Sequence, residues 1–139
     1  VWLEEVPEAY IEDLKISTSA SEGTITVNTS TKADHEIEVV VKDGDKIVAR
    51  QRGGPEIVAN LPNAKLWSPS NPHLYDVIVK LLDDNDQAID HVESYAGIRD
   101  VGKVRDADGH WRFTLNDKFV FHSGPLDHVW WPAGLLKLP

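Results

Sequence analysis

Near the end of the chain, the stretch "SGPLDHVWWPAG" sets Trp130 and Trp131 side by side, just after Asp127 and His128. Flat indole faces stack well on sugar rings, and exposed indoles are costly unless a partner covers them. The pair is therefore either sugar-facing or packed into a core or an interface, and residue type leaves both readings open. Other chemistry-bearing residues form weaker patterns. "DDNDQA" from Asp83 begins like a calcium loop, but Ala88 falls on a ligand position and the required glycine is missing, so it reads as a hairpin turn. The histidines at 35, 73, 91, 110, 122 and 128 show no metal-binding spacing with a third ligand nearby, and no metal site is assigned. No serine sits in a GxSxG elbow. Glu4–Glu5 and Glu12–Asp13 are neighbours in sequence, so on strands they point to opposite faces and read as ordinary surface charge rather than the carboxylate pair of a glycosidase.

The chain that must position these residues has 139 of them, enough for one domain or one domain plus part of another. It has no cysteine, which excludes disulfides and thiolate chemistry. A formal net charge of −9 opposes nucleic-acid and anionic-membrane binding. No apolar run of about 18 residues is present to span a bilayer, and no signal-peptide pattern stands at the N-terminus. The absence of methionine, with the closing "GLLKLP", reads as a piece of a longer protein.

Strand-like alternation dominates. "GTITVNTST" puts Ile25 and Val27 on one face, "HEIEVVVKD" offers Ile37, Val39 and Val41, and "YDVIVKLLD" offers Val77, Val79 and Leu81. "KIVARQ" and "PEIVANLP" are shorter strands, and "DGDK" and "DDNDQ" are turns. The phase slips between Ile11 and Leu14, which predicts a bulge or a late strand start, and again between Ile89 and Val92, which predicts a bulge. "HWRFTLNDKFVFHS" reads as a last hairpin with "LND" at its tip, and His91 falls on a solvent face. About seven short strands at regular spacing predict an all-β, immunoglobulin-like antiparallel β-sandwich, followed by a C-terminal β-hairpin and tail. The glycine- and charge-rich stretch "GKVRDADG" (102–109) reads as a joint, giving a sandwich over 1–102 and a second piece over 103–139.

Four phrases, in order, resemble glycoside hydrolase family 2, the β-galactosidases, β-mannosidases and β-glucuronidases: "VWLEEVPEAYIEDLKIST", "LWSPSNPHLYDVIVKL", "YAGIRDV" and "RFTLNDKFVFHSGPLDH". The resemblance covers nearly the whole chain. It implies that residues 1–9 leave an upstream jelly roll, that the sandwich follows, and that 103–139 open a catalytic TIM barrel. The implied role is a non-catalytic module that braces the barrel of a β-galactosidase-like hydrolase of O-glycosidic bonds. A freestanding carbohydrate-binding or adhesion module is the alternative. The family's two catalytic glutamates belong to the barrel, which needs about 250 residues, so no catalytic residue and no cofactor is carried over and this stretch should be inactive alone. Asp127, His128, Trp130 and Trp131 match the loop beside the substrate pocket of the intact enzyme, although "PLDH" departs from the usual family phrase.

The same resemblance makes "LWSPSNPHLY" architectural. Pro69 and Pro72 stiffen the connection, Trp67 and Leu74 plug the end of the sandwich, and Tyr75 starts the next strand. If Trp67 is buried, truncating it should cost roughly 3–5 kcal/mol. Gly97 and Arg99 match the family's "G.R", with Arg99 either a brace for carbonyls or a carboxylate, or a plain surface arginine. The implied partners are the parent's own jelly roll and barrel and its carbohydrate substrate. The tail from Phe119 to Leu138 would lack its barrel, so it is expected to fold back on the sandwich or pack on another copy, by strand exchange. The residues themselves leave the compartment open, while a polysaccharide-degrading bacterial parent would place it in the periplasm or outside the cell.

Overall fold

A computed structural model describes residue 3 and residues 5–124. Asp127, His128, Trp130 and Trp131 lie outside the described residues, as does the rest of the tail from Pro125 onward. The described residues hold ten strands and no helix, and every strand pairing is antiparallel. One layer is a three-stranded sheet ordered β1 (Ile11–Ser19), β2 (Thr24–Thr31), β5 (Glu56–Asn60). The facing layer is a four-stranded sheet ordered β4 (Lys46–Gly53), β3 (Glu36–Asp43), β6 (Tyr75–Leu82), β7 (Ala88–Ala96). These seven strands make the expected all-β sandwich. A further small sheet, ordered β10 (Lys118–Phe119), β9 (Trp111–Leu115), β8 (Val101–Arg105), follows it.

The sandwich forms where the alternation is cleanest. In β2 and β5, register pairs Ile25 with Ala59 and Val27 with Ile57. In the other layer Val39 faces Val79 and Val41 faces Val77 across β3 and β6. All eight are buried, seven of them with no exposure at all. Burying one such side chain is worth about 1.5–3 kcal/mol, so the two inner faces supply most of the driving force. A bulge is present at each phase slip. Glu12 is the extra residue between the Ile11 and Asp13 pairings, and Ile89 is the extra one between Ala88 and Asp90. A third bulge, at Val48 in β4, left no phase slip in the sequence because "KIVAR" offers only a short run to measure it on.

Turn chemistry sets the remaining geometry. Asn116 and Asp117 both have positive φ, 50° and 61°, as a two-residue turn between antiparallel strands requires. The stretch 102–109 forms most of β8 and then a tight turn. Asp106 Oδ1 accepts from the backbone N–H groups of Asp108 and His110 at 3.1 and 2.8 Å, and Gly109 takes φ 83°. Glycine and charge there build the turn, because aspartate satisfies the turn amides itself.

Candidate functional site

The side chains able to carry a function converge where the sandwich meets the small sheet. "LWSPSNPHLY" sits here as a closed loop. Ser68 and Asn71 exchange two backbone hydrogen bonds, both 3.0 Å, which places Pro69 and Ser70 at a tight corner. Trp67 enters from this loop, its N–H donating to the Ile98 carbonyl at 2.8 Å. Its ring is half-buried, with the Arg99 guanidinium 4.6 Å from the ring centroid. Such stacking is worth about 0.5–1 kcal/mol where water has access. Gly97 explains the close approach. A Cβ there would stand 3.1 Å from Trp67 Cδ1 and 3.2 Å from Leu74 Cδ2.

The end-plug expected of Trp67 and Leu74 is thus partial. Leu74 is 47% exposed, and a half-buried Trp67 should cost less on truncation than the 3–5 kcal/mol of a fully buried ring. Tyr75 does begin β6 and is buried. Its hydroxyl accepts from the Lys65 N–H at 2.7 Å, which holds the far end of the loop. His73 packs edge-on against Tyr75, with Nε2 3.4 Å from Asp43 Oδ1.

Two residues not singled out from sequence tie the parts together. The Asp100 carboxylate accepts from Ala20 N–H at 2.8 Å and from Ser21 N–H at 3.0 Å, gripping the β1–β2 turn. Chiefly through the Ala20 bond, its carboxyl is held below the usual carboxylate range. The Asp100 backbone meanwhile pairs with Asn116: Asp100 N–H donates to Asn116 Oδ1 at 2.9 Å, and Asn116 N–H donates to the Asp100 carbonyl at 2.8 Å. Asn116 Nδ2 then donates to the Trp67 carbonyl at 3.1 Å. One aspartate and one asparagine therefore join the sandwich edge, the proline loop and the tip of the small sheet. Their signal was in plain view, as the last letters of "GIRD" and the middle of "LND". Their polarity suggested turn residues, and only the fold sets them opposite each other.

Beside this latch runs a groove of about 480 Å³, walled by Trp67, Pro69, Arg99, Val101, Phe113, Val120, Phe121 and His122 among others. It has no acidic wall residue, and no carboxylate among the described residues pairs with Arg99. Neither Glu12 nor Asp13 lines it, and both are exposed on β1. A groove with one cation and aromatic walls can hold an apolar segment or a carboxylate. It lacks the two carboxyl groups that glycosidic cleavage uses. Elsewhere, Asp106, Asp108 and His110 bring possible ligand atoms within 4.8 Å of one another. Asp106 is already committed to Arg112 at 2.7 Å and to the turn amides, so the cluster is explained as a turn. His91 is exposed on β7, as expected.

Comparisons with known proteins agree with this architecture. The sequence profile of the family "Glycosyl hydrolases family 2" matches residues 9–99. A β-galactosidase of Streptococcus thermophilus is 29% identical over 89% of this chain and 12% of its own. A β-glucuronidase of Paenibacillus borealis is 30% identical over 83% of this chain and 19% of its own. A β-glucuronidase from Ruminococcus gnavus, solved in complex with D-glucuronic acid, superposes with a TM-score of 0.72 at 26% identity, over 85% of this chain and 20% of its own. The chain thus spans about a fifth or less of the length of these relatives. With the matched segment covering the sandwich from before β1 to Arg99, the chain belongs to glycosyl hydrolases family 2.

Proposed function

We propose that this chain is the non-catalytic sandwich module of a family 2 glycoside hydrolase, and that it braces the catalytic domain through its small sheet. The observation that carries this reading is the Asp100–Asn116–Trp67 latch. It ties the otherwise exposed β8–β10 sheet to the end of the sandwich through hydrogen bonds. An exposed sheet tied in that way is suited to transmit position from one domain to the next. The groove beside it holds no acidic wall residue and so offers no acid–base pair.

The relatives include both a β-galactosidase and β-glucuronidases, which supports a parent acting on a β-linked galactoside or glucuronide. The purified chain should release no aglycone from aryl β-galactosides or β-glucuronides. Grafting residues 9–124 in place of the matching sandwich of the Ruminococcus gnavus β-glucuronidase should give a folded enzyme that hydrolyses its substrate. Turnover by the chain alone would remove the non-catalytic reading. Saturable tryptophan quenching by a free sugar would favour a carbohydrate-binding module instead.

A further inference from the structure

The two faces of the small sheet differ in charge. Strand register puts Val101, Lys103 and Arg105 of β8 on one face with Leu115, Phe113 and Trp111 of β9. Both cations stand over the Trp111 ring, Lys103 Nζ 4.9 Å and Arg105 Cζ 5.0 Å from its centroid. Val101, Phe113 and Trp111 are 77%, 65% and 58% exposed, and none of the six positions is acidic. On the opposite face Arg112 is already neutralised by Asp106 at 2.7 Å and lies over the Phe119 ring.

Lys103 and Arg105 have no carboxylate partner among the described residues. In a chain with 23 acids against 14 lysines and arginines, a face of unpaired cations without an acid runs against the composition. Exposed cations are well hydrated, but three large apolar side chains beside them are costly to leave in water. Val101 and Phe113 also wall the groove of about 480 Å³ next to Arg99, so the face opens onto a recess able to take one large apolar side chain. What fits is a surface with carboxylates around an apolar anchor. Nucleic acid and anionic membrane fit poorly, because the chain as a whole carries −9 and repels both. A glycan fits poorly too, since the six positions offer no amide or carboxylate to bond sugar hydroxyls around the ring.

We propose that the face built by Val101, Lys103, Arg105, Trp111 and Phe113 docks an acidic protein surface, whose carboxylates pair with Lys103 and Arg105 and whose apolar anchor seats against Val101 and Phe113. Docking here rests on the bracing reading and gives it a face and a chemistry. The chain spans about a fifth or less of its relatives, and the acidic surface belongs to the remainder of the parent.

The test titrates the full chain with a copolymer of glutamate and tyrosine at low salt, and in separate arms with polygalacturonate and with phosphatidylserine vesicles. Backbone amide and indole signals are followed by NMR, the Trp111 indole being assigned through Trp111→Phe. The copolymer should shift signals at 101–105 and 111–115, and its binding should weaken as salt screens the ion pairs. Lys103→Glu combined with Arg105→Glu should weaken it about tenfold, the size expected for two exposed ion pairs turned repulsive. Should that pair not fold by circular dichroism, Lys103→Gln with Arg105→Gln takes its place. Lys15→Glu combined with Lys32→Glu changes net charge equally at exposed positions of the sandwich and should leave binding within about twofold. Trp111→Ser should weaken binding without moving the thermal melt. No binding of the copolymer, equal losses from the two double reversals, or shifts confined to other residues would overturn the proposal. Tighter binding of polygalacturonate or of the vesicles would overturn it in favour of a glycan or a membrane. A productive graft with no copolymer binding would remove the acidic partner and leave the bracing role standing, so the two readings fail separately.

Discussion

The sandwich and the small sheet are built from the same kind of sequence and end in opposite states. β2 alternates as "TITVNTST", and its apolar residues Ile25 and Val27 are wholly buried. β9 alternates as "WRFTL", yet Trp111 and Phe113 are 58% and 65% exposed. β8 is exposed at every position. The sandwich has a second layer to close over its inner face, whereas the small sheet is only three strands wide and has none among the described residues. It stands because polar groups hold it: Asp100 and Asn116 at one end, and Asp106 with Arg112 at the other. Alternation in a sequence thus announces a face that could be buried, while a covering layer decides whether it is.

The comparison breaks first at the core. Leu81 has no exposure, so Leu81→Ala should destabilise the sandwich by about 2–5 kcal/mol. Chemical denaturation followed by circular dichroism should then show β8–β10 melting with it, since the latch has nothing else to hold. A small sheet surviving the loss of the sandwich would mean that the two regions are independent.

A smaller effect is expected at the junction. Gly97→Val must push Trp67 or Leu74 aside and should cost about 1–3 kcal/mol, with the Arg99–Trp67 stacking lost from the near-ultraviolet spectrum. Trp67→Ala should fall below the loss for a fully buried ring, because Trp67 is only partly buried.

The latch itself sharpens the contrast through pH. Asp100 is held below its ordinary value of 3.8 by the Ala20 and Ser21 amides. A carboxyl depressed in the folded state adds stability that is complete above the unfolded value and is lost as pH falls through the lower, folded one. Asp106 is depressed too, mainly by Arg112, and acts in the same direction. Amide exchange measured below pH 4 should therefore quicken in β8 and β9 before it does at Val39 or Val79. Asp100→Ala should reproduce that pattern at neutral pH. Uniform quickening throughout the chain would show that the latch does not set the small sheet apart.

Smallest of all should be Trp111→Ser, within about 0.5 kcal/mol by thermal melting, since this ring is open to water apart from Lys103 and Arg105 beside it. A much larger loss would mean that the face is covered.

Much of this was legible residue by residue. Ile25, Val27, Val39 and Val77 declared the core through period-two spacing. The slips at Ile11–Leu14 and Ile89–Val92 marked where two bulges fall, and "LND" declared the hairpin turn. Each is a local property, set by backbone sterics and by which face of one strand is apolar. The pairing of Asp100 with Asn116, the close approach that requires Gly97, the half-burial of Trp67 and the exposure of Phe113 were not legible. Each depends on which other segment arrives opposite, across 16 to 80 residues of chain, and that is decided only when the two layers close. The sequence by itself determined the strands, turns and family of this protein. The tertiary structure alone decided which of its apolar faces are satisfied and which still face water, because burial is a property of two surfaces and a sequence pattern describes only one.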